Sequence, residues 1–160
     1  MGSNKRVFGQ YKIDKSMIHI SVKDFTLFPG LRHCSISEKS GEEFYHTILN
    51  EAFAKAYSED TKLIIDLDGT DGYASSFLDE AFGNLVYDFA LNEVKKRVEI
   101  ISMEEPHWKK MIEGNTYKQW EDRRTSMPQQ PPKITEQHNK WFRLSNGGLH
   151  EEVWINQDEN

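Results

Sequence analysis

The sequence predicts an α/β domain: a mostly parallel sheet with helices packed against it, and a β-hairpin added at the C-terminal end. Two observations carry this. Short apolar runs alternate with helical patterns between Ile18 and Arg124, a βαβαβα order that calls for a parallel sheet with right-handed crossovers. Near the end, Asn146-Gly147 separates two strand-like runs, a strong short-range hairpin signal.

The elements follow in order. Residues 1–10 are polar and expected to be loose. In residues 11–25 the apolar positions are Ile13, Met17, Ile18, Ile20, Val22 and Phe25; Ile18, Ile20 and Val22 alternate strictly, as in a half-buried strand. Phe28-Pro29-Gly30 makes a turn, and a short second strand is expected over residues 32–36. Ser40-Gly41-Glu42-Glu43 has the form of a capping box, and Phe44, Ile48, Ala52, Phe53 and Ala56 follow on one face, so a helix is expected over residues 41–58. Leu63-Ile64-Ile65 suits a buried strand and is too short for a helix. A polar turn of residues 66–72 follows, then Ser75 and Ser76. Leu78, Ala81, Phe82, Leu85 and Phe89 then form one apolar helical stripe. Residues 98–103 are a further parallel strand. Pro106 suits the first turn of a helix buried through Trp108, Met111 and Ile112; Gly114-Asn115 ends or interrupts it, and Tyr117 and Trp120 suggest that it resumes.

Pro128, Pro131 and Pro132 exclude a helix from residues 126–133. The organisation expected is therefore an α/β domain over residues 1–125, a Pro-rich linker over 126–139, and a hairpin and frayed tail of the same domain over 140–160. Trp141 and Trp154 should pack the hairpin onto the core, and proteolysis should cut first near Met127.

Composition limits the function. A chain of 160 residues with a net charge of −6 has no basic field to attract nucleic acid. Mean hydropathy is −0.73, so polar segments should flank a smaller core. The one cysteine, Cys34, allows no internal disulfide, and no apolar stretch approaches the ~20 residues of a spanning helix. No secretory signal is visible near Met1, and Arg6 breaks the myristoylation pattern. The expectation is a cytoplasmic protein that binds neither membrane nor nucleic acid. His19, His33, His46, His107, His138 and His150 show no ligand spacing, so neither metal nor cofactor is expected.

The candidate site is the turn after the central strand, since open parallel sheets place ligand and partner sites at the carboxyl ends of strands. The string Asp66-Leu67-Asp68-Gly69-Thr70 resembles the first motif of the haloacid dehalogenase-like phosphatases. That resemblance implies Asp66 as nucleophile and Asp68 as general acid around Mg2+. The later acidic pair of that family is missing, because residues 98–103 lead only to Glu104-Glu105-Pro106. Asp66 and Asp68 could instead cap loop amides or, with Asp71, hold a cation weakly.

A second resemblance uses more residues. LIIDLDGTDGYASSFLDEAF (63–82) resembles the core of the STAS fold of sulphate transporters and anti-sigma factor antagonists. FPG (28–30), SGEEF (40–44) and IDLDGTDGYASSFLDEAFGNLV (65–86) look like the bacterial STAS-like family of unknown function, over roughly residues 25–100. In the antagonists a histidine-kinase-like ATPase phosphorylates the first of two serines. That resemblance implies Ser75 as phospho-acceptor and Ser76 beside it, although Ala74 and Phe77 stand where those proteins have Asp and Gly. The alternative is structural: Ser75 or Ser76, with Asp79 following, would be the helix N-cap. The function expected is a non-enzymatic regulatory module that binds a protein through Thr70, Asp71, Gly72, Tyr73, Phe77 and Leu78. A nucleotide or small-anion binder at the helix N-terminus is a further alternative.

Overall fold

The computed structural model describes residues 17–126 and 131–154. Ile13 of the first expected strand, the polar residues 1–10, the cleavage position Met127, Pro128 and the tail from residue 155 lie outside them.

Three parallel strands, β1 (Met17–Ser21), β2 (Lys62–Asp66) and β3 (Val98–Ile101), lie in the order β1-β2-β3. Ile18 pairs with Leu63 and Ser21 with Asp66; Asp66 also pairs with Ile101, so the carboxyl ends of all three strands share one edge. Val22 is fully buried but already belongs to a 3-10 turn (Val22–Asp24), which ends the alternation one residue early. Residues 32–36 form turns, not a second strand. Their backbone is drawn instead to the next helix, where Gly41 N donates to Leu31 O and Glu42 N to Arg32 O.

The first crossover is one helical run in three pieces: α1 (Gly41–Phe44), a π turn (Tyr45–Leu49) and α2 (Asn50–Glu59). Ser40 caps it by accepting from Glu43 N, and Asp60 in the left-handed region ends it. The second half of the expected capping box does not form, because the Glu43 carboxylate faces the Cys34 thiol. The second crossover is α3 (Ser75–Phe89) and α4 (Leu91–Arg97), followed by β3. Pro106 opens α5 (Pro106–Met111); a π turn over Ile112–Thr116 absorbs Gly114-Asn115, and the helix resumes as α6 (Tyr117–Ser126).

The core joins Leu63, Ile65 and Ile100 of the sheet to Phe44, Leu49, Phe53, Phe77, Phe82, Leu85 and Phe89 of the helices. Gly83 permits the close approach of α6: a Cβ there would lie 2.0 Å from the Trp120 ring.

The hairpin is β4 (Trp141–Ser145) and β5 (Gly148–Glu152), closed by Asn146 and Gly147 at φ 51° and 80°, the positive values a type I′ turn needs. It is docked by named bonds. Asn50 accepts from Phe142 N and donates to Phe142 O, and Arg143 Nε donates to Asp88 Oδ1 at 2.8 Å. Trp141 is buried with its ring edge-on to His46, whereas Trp154 is half-buried.

Candidate functional site

The loops that leave the three strands meet at the shared edge. Phe25 to Leu31, Leu67 to Ala74 and Ser102 to Glu105 are tied together through their backbones: Leu67 N donates to Ile101 O, Asp71 N to Leu27 O and Ala74 N to Pro29 O. The acids of the central turn complete this weave. Asp66 Oδ1 accepts from Asp68 N. Asp68 accepts from Met103 N and Glu104 N, each at 3.0 Å, one on each oxygen. Glu104 returns the favour by accepting from Gly69 N at 2.7 Å. These carboxylates cap loop amides, one of the roles open to them in the sequence. Gly69 and Gly72 sit at φ 92° and 129°, the region where a side chain is strained.

The serine pair does not cap α3. Ala74 is the N-cap residue and makes no side-chain bond there, which puts Ser75 and Ser76 in the first turn. The helix therefore begins one residue earlier than a Ser75 cap would start it. Ser76 Oγ donates to Gly30 O at 3.1 Å, stapling the helix start to the first loop, and Ser75 is exposed. Asp79 binds Arg32 at 2.7 Å and accepts from Trp120 Nε1.

The expected interaction surface is corrected at two positions. Phe77 and Leu78 are fully buried. Phe77 packs among Phe25, Phe44 and Tyr73, since the first turn of α3 lies directly over α1. Thr70 and Gly72 are half-exposed and Asp71 is exposed. Tyr73 is half-buried; its hydroxyl donates to Leu67 O, and burial raises its pKa above the usual phenol value. The apolar surface of the rim comes from residues the sequence did not single out: Leu27 (47 % exposed), Phe28 (72 %), Leu31 (41 %) and Met103 (78 %).

A second grouping is also invisible in the sequence. Glu42, in the first turn of α1, is fully buried and collects donors from three segments. Cys34 N and both Thr135 N and Oγ1 donate to it; His33 Nδ1 lies 3.2 Å and His138 Nε2 2.7 Å from its oxygens. Burial alone would raise its pKa, but His138, Thr135 and the Cys34 amide hold it far below the usual carboxylate range. Burial, with Glu42 and Glu43 nearby, pushes the Cys34 thiol up to about 12. His46 stacks on His138 at 4.3 Å, its two ring nitrogens buried without a hydrogen-bond partner among the described residues, and burial holds it neutral with a pKa of about 3. Three of the histidines are therefore not scattered in space: His33 and His138 meet at one carboxylate, and His46 stacks on His138.

Among the described residues no helix is long and apolar enough to cross a membrane. Comparisons with curated proteins and with solved structures give no match. Residues 40–108 match the model of a family described as a STAS-like domain of unknown function. The match runs from the cap of α1 to Trp108 in α5, so it contains β2, the acidic turn, Ser75 and β3, and leaves out the Phe28-Pro29-Gly30 loop and the hairpin. The α/β segment from Ser40 to Trp108 is thus similar to a STAS-like domain of unknown function.

Proposed function

We propose that the chain is a non-enzymatic regulatory interaction module, a reading that its match to a STAS-like domain of unknown function supports, and that it binds a protein partner at the rim formed by Leu27, Phe28 and residues 70–74, with Ser75 as the position where phosphorylation alters binding. The observation that carries this is the exposure of Leu27, Phe28, Leu31 and Met103 on the loops that surround the turn. Large apolar side chains grouped at one edge are what a partner covers. The partner class is a histidine-kinase-like ATPase, taken from the resemblance of the serine pair to the antagonists.

The chemistry at Ser75 is consistent. A phosphate in the first turn of a 15-residue helix meets its unpaired amides and positive dipole end. Arg32 is held one helical turn away by Asp79, while Asp71 and Asp79 oppose the new charge. Modification should therefore alter docking more than folding. The non-enzymatic reading is supported by Asp68, whose two oxygens are already occupied by backbone amides and would have to release them to serve as a general acid.

The test is incubation of the full chain with a histidine-kinase-like ATPase and ATP, followed by phosphopeptide mass spectrometry and calorimetric titration. Expected are phosphate at Ser75, weaker binding by Ser75→Asp, and loss of binding by Phe28→Ser with an unchanged Tm. No incorporation, together with wild-type binding by both variants, refutes the proposal. So would Mg2+-dependent phosphomonoester turnover abolished by Asp66→Asn.

A further inference from the structure

The grouping around Glu42 offers three different donor atoms to one point. A ligand atom of Cys34, of Glu42 and of His138 all lie within 4.8 Å of one another, with Glu42 buried and the His138 side chain only 3 % exposed. Cys34 Sγ stands 3.9 Å from His138 Nε2, close to the spacing of two ligands on one tetrahedral ion with bonds of about 2.0 and 2.3 Å. Glu43 adds a carboxylate oxygen 3.6 Å from His138 Nδ1. That is the place of the supporting acid which orients a ligating imidazole through its other nitrogen.

Two further observations point to a cation. A cleft of about 530 Å³ opens onto Cys34 and Glu43, and its other acids are Glu38 and Glu136; no basic residue is among the described residues that line it. Behind His138, His46 is buried, and among the described residues neither of its nitrogens has a hydrogen-bond partner, so polar ring atoms stand behind the His138 imidazole. Two of the three donors, Cys34 and His138, lie outside residues 40–108.

We propose that Cys34, Glu42 and His138 form a binding site for a zinc-class transition metal ion, open on its fourth side to the acidic cleft. A thiolate excludes Mg2+ and Ca2+, and a sulfur, nitrogen and oxygen set suits Zn2+ or Co2+. On binding, the metal takes the Cys34 Sγ lone pair and the thiol proton leaves to water. The hydrogen bond between Glu42 and His138 is replaced by two bonds to the metal. The ion would join the loop before α1, the first turn of α1 and the segment that leads into the hairpin, clamping the C-terminal part to the domain in a chain without a disulfide.

The full chain, stripped with a chelator and dialysed, is titrated with Co2+ and then Zn2+. As Cys34 is the one cysteine, a thiolate-to-cobalt charge-transfer band reports it alone. Expected are one equivalent of Co2+ with that band, its bleaching by Zn2+, and slower alkylation of Cys34 by iodoacetamide with Zn2+, reversed by chelator. His138→Gln should weaken Zn2+ binding by at least ~10–100-fold, the loss seen when only the support of a ligand is removed. The alkylation assay uses the wild-type chain, so it stands if a variant folds poorly. Absence of the band, absence of protection, or undiminished binding by Cys34→Ser overturns the site and leaves Glu42 as a hydrogen-bonded latch.

Discussion

Replacing Arg143 with Met tests how the hairpin is held. Arg143 donates from β4 to Asp88 on α3, which also accepts from the Tyr45 hydroxyl; Asn50 Nδ2 donates to that hydroxyl. Asp88 is 3 % exposed, and burial raises its pKa from 3.8 to about 6, against the pull of Arg143 and Tyr45 and with a push from Glu152. The folded value lies above the unfolded one, so Asp88 adds stability in acid, and that addition fades as the pH rises from about 4 through 6; the rise corresponds to about 3 kcal/mol. Methionine keeps an unbranched apolar side chain and removes the charge, together with the guanidinium that lies 5.4 Å over the Tyr87 ring. At pH 8 the variant must then bury an unpaired carboxylate. Breaking a buried pair costs about 3–5 kcal/mol, and the one-third exposure of Arg143 brings this to about 2–4 kcal/mol. At pH 5 the carboxyl takes up a proton, and the penalty should shrink to about 1 kcal/mol, the worth of an ordinary hydrogen bond. Urea unfolding at both pH values, followed by tryptophan fluorescence, measures it. Equal penalties, or a larger one at pH 5, would refute the reasoning.

Other substitutions address packing and strain. Gly83→Ala should destabilise by about 1–3 kcal/mol despite alanine's better helix propensity, because the Trp120 ring it meets is itself buried and bonded to Asp79; thermal melts decide. Ala90→Gly should stabilise by about 1 kcal/mol, since Ala90 holds φ 74° and ψ 145° between α3 and α4, a region almost reserved for glycine; chemical denaturation should show a higher midpoint. Asp68→Ala should cost about 1–3 kcal/mol and speed hydrogen exchange at the Met103 and Glu104 amides, leaving the Leu63 amide protected.

The legible features were those in which neighbours in sequence decide the outcome. Leu63-Ile64-Ile65 is a strand because three apolar residues bounded by polar ones fit a sheet centre. Ser40 starts a helix because its hydroxyl reaches an amide three residues on. Asn146-Gly147 turns because both residues accept positive φ. The repeated pattern of such units fixes a parallel sheet and puts the acidic turn at its carboxyl edge. What the sequence left open depends on which faces are covered from a distance. The apolar stripe of α3 accounts for Leu78, Ala81, Phe82, Leu85 and Phe89, but the structure also buries Phe77, Glu80, Gly83, Asn84 and Asp88. α1, α6 and the hairpin enclose the helix on its other sides. That enclosure removes Phe77 and Leu78 from the surface, and the loop turned outwards at Leu27 and Phe28 supplies apolar area in their place. Glu42 is the clearest case. One residue apart from Glu43 on the same first turn, it is driven inward by the phase of a single helix, where Cys34, Thr135 and His138 reach it across as many as 96 positions of chain. Spacing along the sequence carries no trace of that meeting, because closure of the fold alone brings those atoms together.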